Sequence, residues 1–325
     1  MYTTKEIQDI VNQKFSEINW AVEPLGLYAP IGYVLALGGK RLRPVLVLMA
    51  ANLFAENLKP AINPAIGLEI FHNFTLLHDD IMDKAPVRRK QPTVHVKWNE
   101  STAILSGDAM LIKAYQYIAE LLPDKLAAGL ELFSHTALEV CEGQQYDMDF
   151  EQRSDVSINE YLEMIRLKTA VLLGAAVRLG ALIGGADEEN AKRLYNFGVN
   201  LGLAFQLKDD LLDVYGNAET FGKQTGGDIL CNKKTFLLIT ALKNATPAQQ
   251  KEFEYWLSPE GGKEPEKKIK AVTELYNQTN AKTACEAKMD EYFQLAIRKL
   301  AEVDLPNERK RNLFDLAEKL SYREV

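Results

Sequence analysis

Cysteine is nearly absent: Cys141, Cys231 and Cys285 are the only three in 325 residues, too scattered for a disulfide framework or a CxxC metal site. That usage fits a reducing compartment, the cytoplasm. The opening Met1-Tyr2-Thr3-Thr4-Lys5-Glu6 has no basic start followed by an apolar run, so no secretory leader is expected. Long apolar runs are missing too. The longest, Val171 to Gly185, is interrupted by Arg178 and falls short of the roughly 20 residues of a membrane span. Positive charge is not in excess: 38 Lys and Arg against 45 Asp and Glu leave a net charge of −7, which makes the chain a poor general binder of nucleic acid. Any polyanionic ligand must be held by a local group of basic residues or through metal ions. No repeat or low-complexity segment is present, and no set of alternating strands.

What is present is helical periodicity. Apolar residues recur at three and four in Ile7, Ile10, Val11 and Phe15, and again in Leu194, Phe197, Leu201, Phe205 and Leu212. Ser157-Ile158-Asn159-Glu160 and Thr246-Pro247-Ala248-Gln249 are helix starts, in which a hydroxyl and a later Glu or Gln satisfy orphan backbone N–H groups. Gly184-Gly185 followed by Asp187 marks one helix ending and the next being capped. The one candidate strand, Thr93 to Trp98, is short and isolated and reads as a loop running into a helix. Ser258 to Lys268, rich in Pro, Gly, Glu and Lys, reads as a surface loop between helices. The expectation is one all-α domain over residues 1–325.

Chemistry is concentrated in two acidic pentads. Asp79-Asp80-Ile81-Met82-Asp83 follows the apolar run Ile66 to Leu77. Residues four apart on a helix differ by about 40°, so Asp79 and Asp83 share a face. Two carboxylates one turn apart repel each other, and a hard cation such as Mg2+ removes the conflict, completing its shell with substrate phosphates. A solvated acidic helix end is the plain alternative for one such motif. The second, Asp209-Asp210-Leu211-Leu212-Asp213 after Val199 to Leu207, shifts the balance toward a shared metal site. Basic residues accompany both pentads: Gly38-Gly39-Lys40-Arg41-Leu42-Arg43-Pro44 in a turn opening an apolar helix, Arg88-Arg89, Lys168-Thr169, Lys223, and Lys233-Lys234-Thr235. A helix N-terminus and the planar guanidinium fork both suit phosphate oxygens. Together these groups describe a site for two diphosphates, one bridged by metals and one held by cations alone.

These motifs also occur in a familiar order. The sequence resembles the trans-isoprenyl diphosphate synthases, the polyprenyl synthetase family, through residues 38 to 44, His78 with the first pentad, Arg88-Arg89, Pro92-Thr93-Val94-His95 and Gly107-Asp108. Gly143-Gln144 with Asp147, Lys168-Thr169, Phe205-Gln206 with the second pentad, Gly222-Lys223, Gly227-Asp228 and Lys233-Lys234-Thr235 continue the series. The resemblance implies an antiparallel helical bundle around a deep central cavity, the isoprenoid synthase type I fold. The implied reaction is Mg2+-dependent head-to-tail condensation of isopentenyl diphosphate with an allylic diphosphate. Asp79, Asp83 and Asp209 would ligate three Mg2+ ions, with Asp80, Asp210 and Asp213 supporting them. Arg88, Lys168, Thr169, Gln206, Lys223 and Lys233 would contact the allylic diphosphate, and Lys40, Arg43, His72 and Arg89 would hold isopentenyl diphosphate. Lys168, Thr169 and Gln206 would also stabilise the allylic cation, while the departing pyrophosphate takes the proton. His72 has a plainer reading as a core histidine. Two departures stand out: Lys90 occupies a position where the family usually has Gly, and Cys231-Asn232 replaces a commoner Glu-Gly.

Product length follows from the helix below Asp79. Thr75, Phe71 and Leu68 lie four, eight and eleven residues earlier, roughly 6, 12 and 16 Å down near one face, with Phe74 flanking them. In the family a bulky aromatic at that position limits elongation. Phe74 above Phe71 therefore implies a short product, geranylgeranyl diphosphate ahead of farnesyl diphosphate; the plain alternative is that both are core aromatics. A terpene cyclase would usually replace the second pentad with Asn, Ser and Glu ligands and lack the Gly-Gly-Lys-Arg turn. A non-catalytic partner subunit is opposed by the complete ligand sets. The resemblance further implies a homodimer through the 98 to 145 region.

Overall fold

The computed structural model describes residues 1–216 and 226–321, and the all-α expectation stands. In chain order the helices are α1 Thr4–Glu17, α2 Leu25–Ala36, α3 Leu42–Phe54, α4 Lys59–Met82, α5 Val94–Lys97, α6 Glu100–Ile118, α7 Pro123–Glu151 and α8 Ile158–Ile165. A π-turn, Arg166–Ala170, joins α8 to α9 Val171–Gly184. There follow α10 Glu188–Tyr215, α11 Gly227–Leu230, α12 Phe236–Asn244, α13 Pro247–Leu257, α14 Pro265–Gln278, α15 Ala281–Ala301 and α16 Asn307–Ser321.

Local chemistry sets where these helices begin and end. Ser157 with Glu160 and Thr246 with Gln249 form the expected reciprocal capping boxes, and Thr3 with Glu6 makes a third at α1. Gly185 takes φ +90 just past α9, and Asp187 accepts the Asn190 N–H at 2.7 Å to cap α10. The segment Thr93–Trp98 is helical as α5, not a strand. Ser258–Lys268 is only partly a loop. A 3₁₀ turn spans Gly261–Lys263, Pro265 opens α14 with its preset φ, and Lys268 lies buried inside that helix.

Contacts divide the chain into two compact units. One comprises Met1–His135, Ala175–Tyr195 and Val303–Leu313, the other Thr136–Gly174, Asn196–Glu302 and Phe314–Val325. In the first, every residue of α3 from Pro44 to Leu53 is buried, and α4 contributes Ile66, Leu68, Ile70 and Phe71 to the same core. The second has its own apolar cluster, including Phe150, Tyr161, Leu207, Phe236, Phe253 and Tyr276.

Two features were invisible to periodicity. Val87–Arg88 (β1) pairs with Gln91–Pro92 (β2) in an antiparallel hairpin, with Val87 opposite Pro92 and Arg88 opposite Gln91. Its two-residue turn, Arg89-Lys90, has φ of +52 and +63, the double left-handed geometry of a type I′ turn. The second is the π-turn, which makes Ile158–Gly184 one continuous 27-residue helical run. By length and composition that longer run could cross a membrane, which Val171–Gly184 alone could not. Yet 67% of its apolar window is buried inside the protein, as for a core helix.

Candidate active site

Both acidic pentads sit in the last turns of long helices, where the helix dipole presents its negative end. Carboxylates there are doubly disfavoured unless cations accompany them. At the end of α4, Asp83 stays in helical geometry as the C-cap, and its N–H donates to the Asp79 carbonyl at 2.9 Å, so Asp79 and Asp83 stand one turn apart. Arg88 of the hairpin supplies one cation. Its Nε donates to both oxygens of buried Asp80, at 2.8 and 2.9 Å, and its Nη2 lies 3.6 Å from Asp79. Burial pushes the Asp80 carboxyl above its ordinary range, against the pull of Arg88.

A second cationic group gathers in the same unit around Glu69. This residue is 3% exposed on α4, and Asn73 Nδ2 donates to its Oε1 at 3.3 Å. Arg43, Arg41 and Arg89 all act on its charge, and burial still raises its carboxyl above the usual range. The Arg43 Nε is enclosed without a hydrogen bond, and burial pulls this guanidinium down to about 10. Gly39 brings the basic turn against the hairpin: a Cβ there would fall 2.7 Å from Arg89 Nη2, and its φ of +133 also favours glycine. Half-buried His72 has its imidazole pushed well below its ordinary value by burial and by Arg43, Arg89 and Arg88, so it is neutral. Arg43, His72 and Arg89 are thus brought together, while Lys40 is exposed at the turn. Arg41 has another task, stacking 3.7 Å over the Phe15 ring and donating to the Leu35 carbonyl at 3.0 Å. Glu69 was missed in the sequence because a lone acid in an apolar run carries no signature. Glu69 and His72 also form one Glu-x-x-His step. Di-iron bundles use two such steps with two further Glu residues, and three guanidiniums around Glu69 oppose a cation there.

Below the pentad, toward the start of α4, Phe71 is fully enclosed and meets Phe133 edge-on at 5.2 Å. Phe74, 8% exposed, lies 5.6 Å from Phe71 and 4.7 Å from the His78 ring. Thr75 is half-buried and donates to the His72 carbonyl at 2.8 Å. His78 packs on Gly107, where a Cβ would come within 2.2 Å of its Nε2.

In the other unit the π-turn is the organiser. Gly143 on α7 lets it approach, since a Cβ there would lie 2.2 Å from the Lys168 N. Lys168 Nζ donates to Asp147 Oδ2 at 2.6 Å, and Lys233 Nζ stands 4.0 Å from the same oxygen. Burial pushes the Asp147 carboxyl up, but Lys233 and Lys168 outweigh it and hold it below the ordinary range. Gly202 lets α10 close on the turn, a Cβ there falling 2.6 Å from the Ala170 Cα. One helical turn further, Gln206 Oε1 accepts from Thr169 Oγ1 at 3.3 Å; another turn on, Asp210 Oδ1 accepts from Gln206 Nε2 at 3.3 Å. Tyr161 O–H donates to Asp210 Oδ2 in a buried contact. Asp210, 4% exposed, is pushed up to about 7 by burial and by Asp228, with Tyr161, Lys233 and Gln206 opposing. Tyr161 was missed in the sequence, because a lone tyrosine carries no mark of a carboxylate 49 residues away.

The end of α10 is tied to the chain that follows. Asp213 Oδ2 accepts the Asp228 N–H at 3.0 Å. Asn232 takes φ +54, donates to the Leu257 carbonyl at 3.0 Å, and accepts from the buried Lys268 Nζ at 2.6 Å, which fixes the segment before Lys233. Asp209 is half-buried on α10, and Lys223 lies outside the described residues. Among the described residues no three His, Cys, Asp or Glu side chains form a ready metal cage. A Mg2+ site completed by substrate phosphates does not need one.

Aspartate pentads ending two long helices of an all-α chain, with guanidinium or ammonium groups beside each, are the layout of a prenyltransferase. The polyprenyl synthetase family matches residues 25–276. A geranylgeranyl diphosphate synthase of Methanosarcina mazei is 42% identical over 235 residues, 72% of each chain. A geranylfarnesyl diphosphate synthase of Natronomonas pharaonis is 39% identical over 255 residues, 73% of this chain and 74% of its own. Among solved structures, a geranylgeranyl pyrophosphate synthase superposes over 100% of both chains with a TM-score of 0.95 and 45% identity. The Corynebacterium glutamicum enzyme of that name, complexed with isoprenyl diphosphate and magnesium, gives a TM-score of 0.85 at 28% identity, covering 99% of this chain and 98% of its own. The chain belongs to the polyprenyl synthetase family.

Proposed function

We propose that this protein condenses isopentenyl diphosphate head-to-tail with an allylic diphosphate to make geranylgeranyl diphosphate. The observation that carries the reading is the placement of both pentads at the carbonyl ends of α4 and α10, where carboxylates require cations. Their hard oxygen donors suit Mg2+. Asp79, Asp83 and Asp209 would hold it, three ions to a site, with Asp80, Asp210 and Asp213 in support. Bound there, Mg2+ supplies Lewis-acid stabilisation of the charge growing on the departing diphosphate.

The chain's own residues do the rest. Arg88, Lys168, Lys223 and Lys233 bind the allylic diphosphate and add fixed positive charge where the leaving group becomes anionic. Lys40, Arg43 and Arg89 bind isopentenyl diphosphate, with neutral His72 as a hydrogen-bonding partner. The Lys168 carbonyl, Thr169 Oγ1 and Gln206 Oε1 turn lone pairs toward the allylic cation, and apolar walls exclude water from it. After the isopentenyl double bond attacks, the released pyrophosphate takes the proton. Phe74 above Phe71 stops growth at twenty carbons; names of both twenty- and twenty-five-carbon synthases among the relatives make product size the sharpest part of this reading. One catalytic domain comprising both units works in the cytoplasm as a homodimer. Leu105 and Ile112, 59% and 61% exposed on α6, support a dimer face, and sedimentation as a monomer at micromolar concentration would refute it.

The test is incubation of the purified chain with Mg2+, labelled isopentenyl diphosphate and each allylic starter in turn, followed by sizing of the products. A twenty-carbon product bears the reading out. No condensation with any starter, or full condensation in excess chelator, sinks it.

A further inference from the structure

The side-chain amide of Gln206 has two unlike ends, and we propose that Asp210, pinned by Tyr161, sets which end faces the reacting allylic cation. This rests on the reading above that Thr169 and Gln206 border that cation.

The argument is one of donors and acceptors. Both Asp210 oxygens are engaged, Oδ2 by the Tyr161 hydroxyl and Oδ1 by Gln206 Nε2 at 3.3 Å. In its ionised form, the one present at the pH 8 of the test below, a carboxylate only accepts, so the NH2 end of Gln206 must turn toward it. The carbonyl end is then left for Thr169, whose single hydroxyl hydrogen is spent on Gln206 Oε1 at 3.3 Å. Polarity therefore runs one way from end to end, with Tyr161 and Gln206 donating to Asp210 and Thr169 donating to Gln206. Two oxygens, Gln206 Oε1 and Thr169 Oγ1, keep lone pairs for a positive centre. Were the amide reversed, N–H hydrogens would face that centre and raise its energy. Tyr161 is 1% exposed and its hydroxyl holds Asp210 through the oxygen that Gln206 does not use. The helices make the alignment: Gly202, Gln206 and Asp210 follow at steps of four on α10, against Ala170, Thr169 and Tyr161 running the other way. Asp210 and Tyr161 are thus positioning residues acting through Gln206.

The test is a swap in the full-length protein, assayed at pH 8 with Mg2+, isopentenyl diphosphate and the preferred allylic starter. Asp210→Asn keeps the shape but can offer N–H to Gln206 Oε1 and reverse the amide. It should lower kcat by about 10- to 100-fold and leave KM for the allylic diphosphate within about twofold. Gln206→Glu sets two carboxylates against each other and should also be slow. The double variant Asp210→Asn/Gln206→Glu conserves the charge of the pair, restores a donor facing an acceptor, and again leaves an oxygen for Thr169. It should turn over faster than either single variant. Tyr161→Phe should give a smaller fall in kcat with KM unchanged, and covers the case in which the Asp210 variant does not fold. A double variant no faster than Asp210→Asn, or a Tyr161→Phe enzyme with wild-type kcat, overturns the proposal. An inactive wild-type chain would instead refute the proposed function itself.

Discussion

The same five-letter acidic motif is solved in two ways. At the end of α4, the middle carboxylate, Asp80, is neutralised by a full charge, the two-oxygen contact from Arg88. At the end of α10, the hydrogen bonds that Asp210 accepts among the described residues come from neutral donors, Tyr161 and Gln206, and the carboxyl is pushed up to about 7. In both, the second aspartate of the pentad is buried while the first is partly exposed. On the proposed reading the pentad is two tools in one: a buried anchor that orders neighbouring side chains, and outer carboxylates that would hold a cation. The comparison can be broken in several places.

The largest effect should come from the outer carboxylates. Asp79→Ala and Asp209→Ala should each cut turnover by about 10²-fold or more with unchanged helicity by circular dichroism. If only one does, the two ends are not equivalent partners in metal binding. Next is Phe74, whose counterpart five residues before the second pentad is the small Ala204. Phe74→Ala should lengthen the product on sizing and cost roughly 3 kcal/mol in urea unfolding; an unchanged product would leave Phe74 as core filling alone. Removing each anchor's donor comes third. Arg88→Met strands a buried charge and should cost about 2 kcal/mol, whereas Tyr161→Phe should cost about 1 kcal/mol.

A pH experiment separates the two solutions further. Between about pH 4 and 7 the folded protein retains a proton on Asp210 that the unfolded chain has released, so this residue makes stability fall as pH rises through that window. Asp210→Asn should flatten the fall, measured as urea midpoints at about pH 4.5 and 7.5 with chelator present. Asp147 acts in the opposite sense: its depressed carboxyl adds stability above the ordinary carboxylate range and loses it as pH drops through its folded-state value. The smallest effects concern the two departures from family glycines. Both fall at left-handed positions, Lys90 with φ +63 and Asn232 with φ +54. Asn tolerates that region better than Lys. Lys90→Gly should gain up to about 1 kcal/mol, while Asn232→Gly should lose about 1 kcal/mol because the buried Lys268 ammonium forfeits its side-chain partner.

Much of the scaffold was legible because it is written in short-range chemistry. Capping boxes at Ser157 and Thr246, and the Gly185 stop, need only a few neighbouring residues to be recognised. The pentads and basic motifs were legible for the same reason. Glu69, Tyr161 and Lys268 were not, because each derives its role from side chains far along the chain: three guanidiniums, one carboxylate and one amide. The hairpin at Arg89-Lys90 escaped because its turn lacks the glycine or asparagine that announces such geometry. The π-turn at Arg166–Ala170 has no proline or glycine to mark it.

That wide turn bears on how this sequence can change. In an unbroken α-helix, residues eight apart, such as Tyr161 and Thr169, diverge by about 80° around the axis. The looser winding of Arg166–Ala170 offsets that drift, so one phenol and one hydroxyl can address the same face of α10. A single-codon deletion between them would tighten the coil and swing everything downstream out of phase. Arg166 and Leu167 can be exchanged for other helix formers in descent; a shift of frame by one residue moves Lys168 and Thr169 with it.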